Sequence, residues 1–259
     1  MKSAGVYKSP GDSFSPVRLT GPTGHFTGTF SPVSAPENRQ KMQLLSMEEA
    51  ITRLLSRLNP DAPRALIALA GLPGSGKSTL ADALATTVNA VAGPESLIVL
   101  SMDGFHLTKA QLRQMPDPDA ALARRGAPWT FDLRALIARL RALRESAGDS
   151  DVFWPDFSHG VGDPVEDAQI VKAQAQVILV EGLYLLHQAD GWDSVSEMFD
   201  ERWYLDTPRE IALERLARRH MSASGLTRAQ AEARVALNDS LNAEIVSHSR
   251  QFADFLLRE

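Results

Sequence analysis

Four residues with the spacing G-x-x-x-x-G-K-[ST] are the first feature of the chain that suggests chemistry, and they are Gly71, Gly76, Lys77 and Ser78. In this pattern backbone N–H groups surround phosphate oxygens, the lysine reaches the β- and γ-phosphates, and the serine hydroxyl contacts Mg²⁺. Glycine lacks a Cβ, so the backbone here can approach an anion closely. The spacing predicts a nucleotide-binding loop formed by Gly71, Gly74, Ser75, Gly76, Lys77, Ser78 and Thr79.

The segments on either side of this loop support the same interpretation. Residues 66–70 form a short apolar run that is typical of a buried parallel strand. Residues 79–88 are rich in alanine and predict a helix, whose positive dipole end would face the phosphates. A strand, a glycine-rich turn and a helix in this order are the setting in which the motif binds phosphate.

Two acidic residues follow apolar, strand-like runs at residues 96–101 and 176–180. The carboxyl ends of parallel strands share one edge of a sheet, so Asp103 and Glu181 should lie near the phosphate-binding loop. Asp103 could there accept a proton from an attacking hydroxyl, and its structural alternative is a turn aspartate before glycine. Glu181 could act with Ser78 on Mg²⁺, and its structural alternative is a strand-end glutamate facing solvent.

Three arginines crowd the end of a predicted helix, just before a Ser/Gly-rich break at residues 222–225. Cations at a helix C-terminus are favoured by the helix dipole and need no further role. The functional alternative is an arginine-bearing lid that neutralises the transferring phosphate. In this alternative Arg218 and Arg219 are better candidates than Arg215. The candidate catalytic residues are therefore Lys77, Asp103, Arg218 and Arg219.

Two histidines, His106 and His159, lie in loops after strand-like runs, and the sequence has no H-E-x-x-H or other zinc spacing. A lone histidine is more often a hydrogen-bonded structural residue, and substrate contact is the alternative. The candidate substrate-binding residues are Asp103, His106, Phe157, His159 and Tyr184.

The composition excludes several other functional classes. The chain has 259 residues, of which 44% are hydrophobic, and its formal net charge is -5. Because there is no global basic field, we expect no nucleic-acid partner. The absence of cysteine excludes disulfides and thiolate catalysis. No apolar run approaches the roughly 20 residues of a spanning helix, so we expect no membrane partner and a cytoplasmic protein.

The order of the predicted elements indicates one domain preceded by a tail. Residues 1–40 are rich in Ser, Thr, Gly and Pro, and we expect them to be disordered. Residues 41–259 should form the nucleotide-binding domain, in which strands alternate with helices. This alternation predicts an α/β fold with a doubly wound, mostly parallel sheet, helices on both faces and a small arginine-bearing lid.

Three further elements are predicted from capping patterns and periodicity. Residues 42–58 predict one helix with a capping box between Ser46 and Glu49. Thr207 is the predicted N-cap of the helix that carries the arginines. A second capped helix should begin at Thr227, and residues 253–257 predict a last strand.

Taken together, the segments GLPGSGKST, SMDGFH, FDLRAL, WPDFSHGVGDP, VILVEGLYLL and RLARRH resemble the phosphoribulokinase, uridine kinase and bacterial pantothenate kinase group. The likeness is greatest to the nucleoside/nucleotide kinase-like or fructose-transport kinase branch. The resemblance implies a P-loop kinase that uses ATP and Mg²⁺, with Asp103 near the acceptor hydroxyl, Glu181 near the metal, and Arg218 and Arg219 in the lid. Phe157 stands where many uridine and pantothenate kinases have a tyrosine.

The resemblance implies transfer of a phosphoryl group to a hydroxyl of a small metabolite, and we expect a sugar or a sugar-like compound. A uridine or other nucleoside kinase and a pantothenate kinase are the alternatives within the group. A P-loop NTPase that acts as a switch or regulator is the alternative outside it. We expect the small-molecule acceptor to be the binding partner of the protein. The sequence does not decide whether the chain forms a homodimer.

Overall fold

Six parallel strands form one sheet in the computed structural model, which describes residues 42–59, 61–158 and 160–258. The six strands are β1 (Gln43–Leu45), β2 (Ala65–Gly71), β3 (Leu97–Ser101), β6 (Val177–Gly182), β7 (Glu201–Leu205) and β8 (Phe255–Leu257). Their order across the sheet is β1-β8-β7-β2-β6-β3. The mostly parallel α/β sheet predicted from the sequence is confirmed. The predicted tail at residues 1–40 and His159 lie outside the described residues.

Nine α-helices surround this sheet in the described residues. They are α1 (Met47–Ser56), α2 (Lys77–Ala92), α3 (Lys109–Leu112), α4 (Pro118–Ala123), α5 (Leu133–Glu145), α6 (Asp193–Ser196), α7 (Arg209–Ser224), α8 (Arg228–Arg234) and α9 (Ser240–Ser249). A π-helical turn, Val235–Asp239, joins α8 to α9. None of these helices has the length and apolarity needed to cross a bilayer.

Strand β2 lies in the middle of the sheet, and all seven of its residues are buried. Its alternate side chains point to opposite faces, so they belong to two different cores. Ile67 and Leu69 pack with the buried faces of α1 and α2. Leu66 and Ala68 pack on the other face with α5 and α9. Helices therefore cover both faces of the sheet, as the continuous apolar run predicted.

Two elements differ from the predicted pattern near the edges of the fold. Residues 42–58 are not one helix, because β1 precedes α1 and pairs with β8, although the predicted capping box at Ser46 and Glu49 is present. A separate antiparallel hairpin joins β4 (Val152–Ser158) to β5 (Asp163–Val171). Strand β5 was not predicted, because most of its side chains are exposed and its sequence lacks the periodicity of a buried face.

Buried Arg64, directly before β2, hydrogen-bonds to two neighbouring segments, the end of α5 and the turn before β6. Arg64 is 4% exposed and donates hydrogen bonds to four backbone carbonyls. The acceptors are Leu143 O at 2.7 Å, Lys172 O at 3.0 Å, Ala173 O at 2.8 Å and Ala175 O at 2.7 Å. The carbonyl of Leu143 lies in the last turn of α5, where no intrahelical donor is available. Arg64 therefore ties the end of α5 and the turn before β6 to the central strand.

Replacing Arg64 with methionine should lower the free energy of unfolding by at least about 3 kcal/mol, because four backbone carbonyls, three of them in buried hydrogen bonds, lose a charged donor at once. Urea unfolding followed by circular dichroism would measure the change. Arg113→Met, at an exposed position just after α3, is the matched control and should stay within about 0.5 kcal/mol of wild type. A change of that small size in Arg64→Met would show that solvent or other donors replace the arginine.

Candidate active site

The predicted phosphate-binding loop forms the turn between β2 and α2. Gly74 and Gly76 have φ angles of 78° and 97°, in the left-handed region that favours glycine. A Cβ on Gly74 would lie 2.3 Å from the carbonyl oxygen of Ala212 in α7. The glycine at this position therefore serves both the backbone conformation and the close approach of α7 to the loop.

Two side chains of the loop fit a phosphate ligand. Ser75 Oγ is buried and has no hydrogen-bond partner among the described residues. Lys77 is 8% exposed, and its Nζ donates to the carbonyl of Leu72 at 3.0 Å. Burial lowers the pKa of Lys77, while the nearby charges of Glu181 and Asp103 oppose that shift. Among the described residues, Lys77 thus has a neutral acceptor alone and Ser75 Oγ has none, and both groups suit the phosphates of a nucleotide.

Three oxygen-bearing side chains meet beside the start of α2. Glu181 Oε1 accepts hydrogen bonds from Ser101 Oγ at 2.9 Å and from Ser78 Oγ at 3.3 Å. Burial raises the pKa of Glu181, and the charge of Lys77 opposes that shift. Serine and carboxylate oxygens are ligands that suit Mg²⁺. Because the described residues contain no group of three or more His, Cys, Asp or Glu that could hold a metal, Mg²⁺ here would also need phosphate and water ligands.

Ser101 was not among the predicted site residues. It pairs with Glu181 in the register of β3 and β6, so both side chains stand at the same end of adjacent strands. Its hydroxyl also accepts a hydrogen bond from the backbone N–H of Asp103 at 3.2 Å. The only sequence indication was a hydroxyl residue at the end of an apolar strand, two positions before the candidate acid.

Asp103 lies in a 3₁₀ turn, Met102–Phe105, directly after β3. Its carbonyl accepts hydrogen bonds from the N–H of His106 at 3.1 Å and interacts with His106 Nδ1 at 2.8 Å. Its carboxylate is 41% exposed and lies 3.9 Å from His106 Nδ1. Among the described residues no group donates a hydrogen bond within normal range to this carboxylate, so it is available to a ligand.

A cleft of about 1110 Å³ opens beside Asp103. It brings together four residues predicted from the sequence, namely Asp103, His106, Phe157 and Arg219. It is also lined by polar residues that were not predicted, including Lys109, Arg124, Arg125, Asn238 and Asn242. The rings of His106 and Phe157 are 5.0 Å apart and form an aromatic part of its wall.

Tyr184 occupies a different place from the one expected of a substrate-binding residue. It is fully buried, does not line the cleft, and donates a hydrogen bond from its hydroxyl to Gly126 O at 2.6 Å. Gly126 does line the cleft, so Tyr184 supports the wall from behind.

Arg215, Arg218 and Arg219 of α7 do not all lie on the same face of the helix. Arg219 lines the cleft, and Arg215 donates to Ser75 O of the phosphate-binding loop at 3.2 Å. Arg218 is 75% exposed and is paired with Glu214 at 2.8 Å. Residues 215 and 219 share one face of the helix because they are four positions apart. The structure thus favours Arg215 and Arg219 over Arg218, unlike the order given by the sequence.

The predicted N-cap of α7 is wrong by one residue, because the helix begins at Arg209 and its N-cap is Pro208. The hydroxyl of Thr207 instead donates to Ser75 O at 3.0 Å. Thr207 therefore holds the phosphate-binding loop rather than capping the helix. It also lines a second cleft of about 690 Å³ that includes Leu72 of the loop.

A sequence model of the phosphoribulokinase/uridine kinase family matches residues 66–249. The chain belongs to this family. The “Putative uridine kinase” of Schizosaccharomyces pombe is 36% identical over 198 residues, which cover 76% of this chain and 83% of that protein. The “ATP-dependent kinase-like protein notR'” of Aspergillus versicolor is 42% identical over 153 residues, which cover 58% of this chain and 88% of that protein.

A solved structure supports the same assignment. The crystal structure of the “putative fructose transport system kinase” from Silicibacter sp. TM1040 has a TM-score of 0.72 and 34% sequence identity, and it covers 83% of this chain and 99% of that chain. As a member of the phosphoribulokinase/uridine kinase family, the chain is an ATP-dependent kinase with a P-loop fold. The resemblance found in the sequence is therefore confirmed.

In a kinase of this family, Arg219→Ala should lower the turnover number about tenfold or more, because it removes a positive charge from the wall of the cleft beside the phosphate-binding loop. The nucleotide Kd should change less than the turnover number if the arginine acts mainly in the transition state. Arg218→Ala is the matched control on the same helix turn and should leave both constants near wild type. Steady-state kinetics with nucleotide titration would test the pair, and a larger loss in Arg218→Ala would restore the order predicted from the sequence.

Proposed function

We propose that the chain transfers the γ-phosphoryl group of ATP to a hydroxyl of a small metabolite, and that this acceptor is a sugar or a sugar-like compound. The observation that carries the proposal is the carboxylate of Asp103, which accepts no hydrogen bond within normal range from the described residues and lies on the wall of the cleft beside the phosphate-binding loop. A carboxylate in that place can orient an acceptor hydroxyl and take up its proton.

Residues of the loop and of the strand ends beside it would each bind a different part of the nucleotide and its metal ion. ATP supplies the phosphoryl group, and Mg²⁺, held through Ser78 and Glu181, would neutralise charge on its phosphates. The ammonium of Lys77 binds the β- and γ-phosphate oxygens, and the backbone N–H groups of the loop surround them. Ser101 orients Glu181 through its hydrogen bond. Arg219 adds positive charge at the side of the cleft where the phosphoryl group would move.

The second cleft would receive the base and ribose of the nucleotide. It begins at Leu72 in the phosphate-binding loop and continues along the start of α7 to Arg250 and Arg258. The pairing of both arginines with Asp206 keeps this wall in place. A nucleotide whose phosphates lie in the loop can extend into this cleft while the acceptor occupies the other one.

The lining of the acceptor cleft is consistent with a polyhydroxyl compound. Aromatic rings at His106 and Phe157 offer flat apolar faces, and Asn238 and Asn242 offer amide groups. The name of the Silicibacter relative mentions fructose transport, which agrees with a sugar acceptor. The name of the fission yeast relative mentions uridine, so nucleosides are the competing class.

Acceptor-dependent release of ADP is the experiment that tests this function. Sugars, polyols, nucleosides and pantothenate would be screened with Mg²⁺ and ATP, and we expect the largest stimulation from a member of the first two groups. Preferred turnover of uridine or pantothenate would show that the acceptor is that compound and not a sugar. ADP release that no acceptor stimulates, in a protein that binds ATP, would argue against the proposed reaction.

A further inference from the structure

Arg124, which was not a predicted site residue, lies on the wall of the acceptor cleft. Its guanidinium Nη1 donates to Asn238 Oδ1 at 2.6 Å, and its Nη2 donates to Asn242 Oδ1 at 3.3 Å. Longer contacts of 3.4 Å join Nη1 to the carbonyls of Leu237 and Asn238 in the π-helical turn. The guanidinium is thus positioned from the side of α9 and the π-helical turn.

The groups that hold Arg124 are themselves fixed. Asn242 is 3% exposed and also donates to Gly126 O at 3.2 Å. Asn238 donates to Arg125 O at 3.0 Å. The same Gly126 carbonyl accepts the hydroxyl of Tyr184. The loop that carries Arg124 is therefore held in one arrangement before any acceptor binds, which lowers the entropic cost of binding.

The charge of Arg124 is not neutralised by these contacts, because every acceptor is a neutral oxygen. No carboxylate lies within 4 Å of its guanidinium among the described residues. The neighbouring Arg125 gives the contrast, since its Nη2 is 2.6 Å from Asp163 Oδ1. Asp239, on the same π-helical turn as Asn238, is paired with His220 at 2.8 Å. Arg124 therefore presents an oriented positive charge that no carboxylate of the described residues pairs with.

Among the described residues, the lining of the cleft carries more positive than negative side chains, although the formal charge of the chain is -5. The cationic ones are Lys109, Arg124, Arg219, Arg234 and Arg125, of which Arg125 is paired with Asp163. The described carboxylates of the lining are Asp103 and Asp239. An excess of positive charge in a cleft raises the local concentration of anions.

Arg124, Asp103 and Pro73 of the phosphate-binding loop all line this one cleft. An acceptor whose hydroxyl meets Asp103 can direct its other end toward Arg124.

We propose that Arg124 binds an anionic group of the acceptor, a carboxylate or a phosphate, and so selects acidic or phosphorylated sugars over neutral ones. The inference that the anion belongs to the acceptor rests on the proposed function, whereas binding of an anion at Arg124 does not depend on turnover. Arg124 is a binding and specificity residue in this scheme, whereas Asp103 remains the residue that meets the reacting hydroxyl.

A binding experiment tests the anion site directly. The full chain would be saturated with Mg²⁺ and a non-hydrolysable ATP analogue, so that the phosphate-binding loop is occupied. Inorganic phosphate and acetate would then be titrated by calorimetry as the two probes. We expect at least one probe to bind, and its Kd to rise about tenfold or more in Arg124→Met, as expected for loss of a charge-assisted contact. Which probe binds distinguishes a phosphate from a carboxylate ligand.

Two further variants control this result. Arg124→Lys keeps the charge and should retain most of the affinity, whereas Arg113→Met removes a charge at an exposed position outside the cleft and should retain all of it. Thermal unfolding would show that each variant is folded. Absence of binding by both probes in wild type, or equal affinity in Arg124→Met, would overturn the inference.

A turnover experiment separates this inference from the proposed function. Matched pairs of neutral and anionic compounds would be compared, such as glycerol with glycerate, sorbitol with gluconate, and fructose with fructose 6-phosphate. We expect the anionic member to have the higher kcat/KM, and Arg124→Met to raise its KM with little change in kcat. Equal or better turnover of the neutral members would overturn the inference and leave the kinase function in place. Anion binding that depends on Arg124, without turnover of any acceptor, would support the anion site and contradict the proposed function.

Discussion

Replacing Lys77 with methionine should lower the turnover number by about 10²- to 10³-fold or more, because no other ammonium group of the loop can reach the β- and γ-phosphates. Methionine keeps the length of the buried side chain, so the loss would come from the charge and not from a cavity. The cost of burying the Lys77 ammonium also disappears, so the variant should be at least as stable as wild type.

Acceptor-dependent ADP release and thermal unfolding would be measured on the same preparations of Lys77→Met. Lys172→Met is the matched control, because Lys172 is half exposed and paired with Asp151 far from the loop. Unchanged turnover in Lys77→Met would be incompatible with phosphoryl transfer at this loop.

The second large effect is expected at Asp103. Asp103→Asn keeps the size of the side chain but removes its basicity, so turnover should fall by about 10²- to 10⁴-fold while nucleotide affinity hardly changes. We expect no folding defect, because the 3₁₀ turn is held by the backbone of Asp103 and by Ser101. Turnover and the nucleotide Kd would be measured separately.

Asp132→Asn provides the control for an aspartate with a structural role. Asp132 caps α5 by accepting a hydrogen bond from Ala135 N at 2.9 Å, and asparagine caps helices equally well. Near wild-type transfer in Asp103→Asn would rule out the proposed base. Loss of nucleotide affinity alone would place Asp103 among the groups that hold the metal.

The central part of the site could be predicted from the sequence because its residues lie next to the elements that position them. The glycines and Lys77 are contiguous with a strand and a helix, and Asp103 and Glu181 end apolar runs. The carboxyl ends of parallel strands meet at one edge of the sheet, so these predictions needed no knowledge of long-range contacts. The same local logic predicted the capping boxes at Ser46 and Thr227, which the structure contains.

The acceptor cleft could not be predicted in the same way, because its contacts join distant parts of the chain. Arg124 meets Asn238 and Asn242 across more than a hundred residues, and no local pattern marks that meeting. The direction of each arginine on α7 depends on which face of the helix packs on the loop. The hydrogen bond from the Tyr184 hydroxyl to Gly126 O likewise joins residues 58 positions apart, and no local pattern marks it.

A small apolar cluster between α7 and α8 determines how much free energy local opening of these two helices requires. Leu216, Ala217, Ala231 and Val235 form a buried group of their own, separate from the two large cores on the sheet. A local unfolding unit of this size is held by little apolar area, so its opening free energy lies well below that of the whole protein. We therefore expect this cluster to open locally more often than the six-stranded sheet.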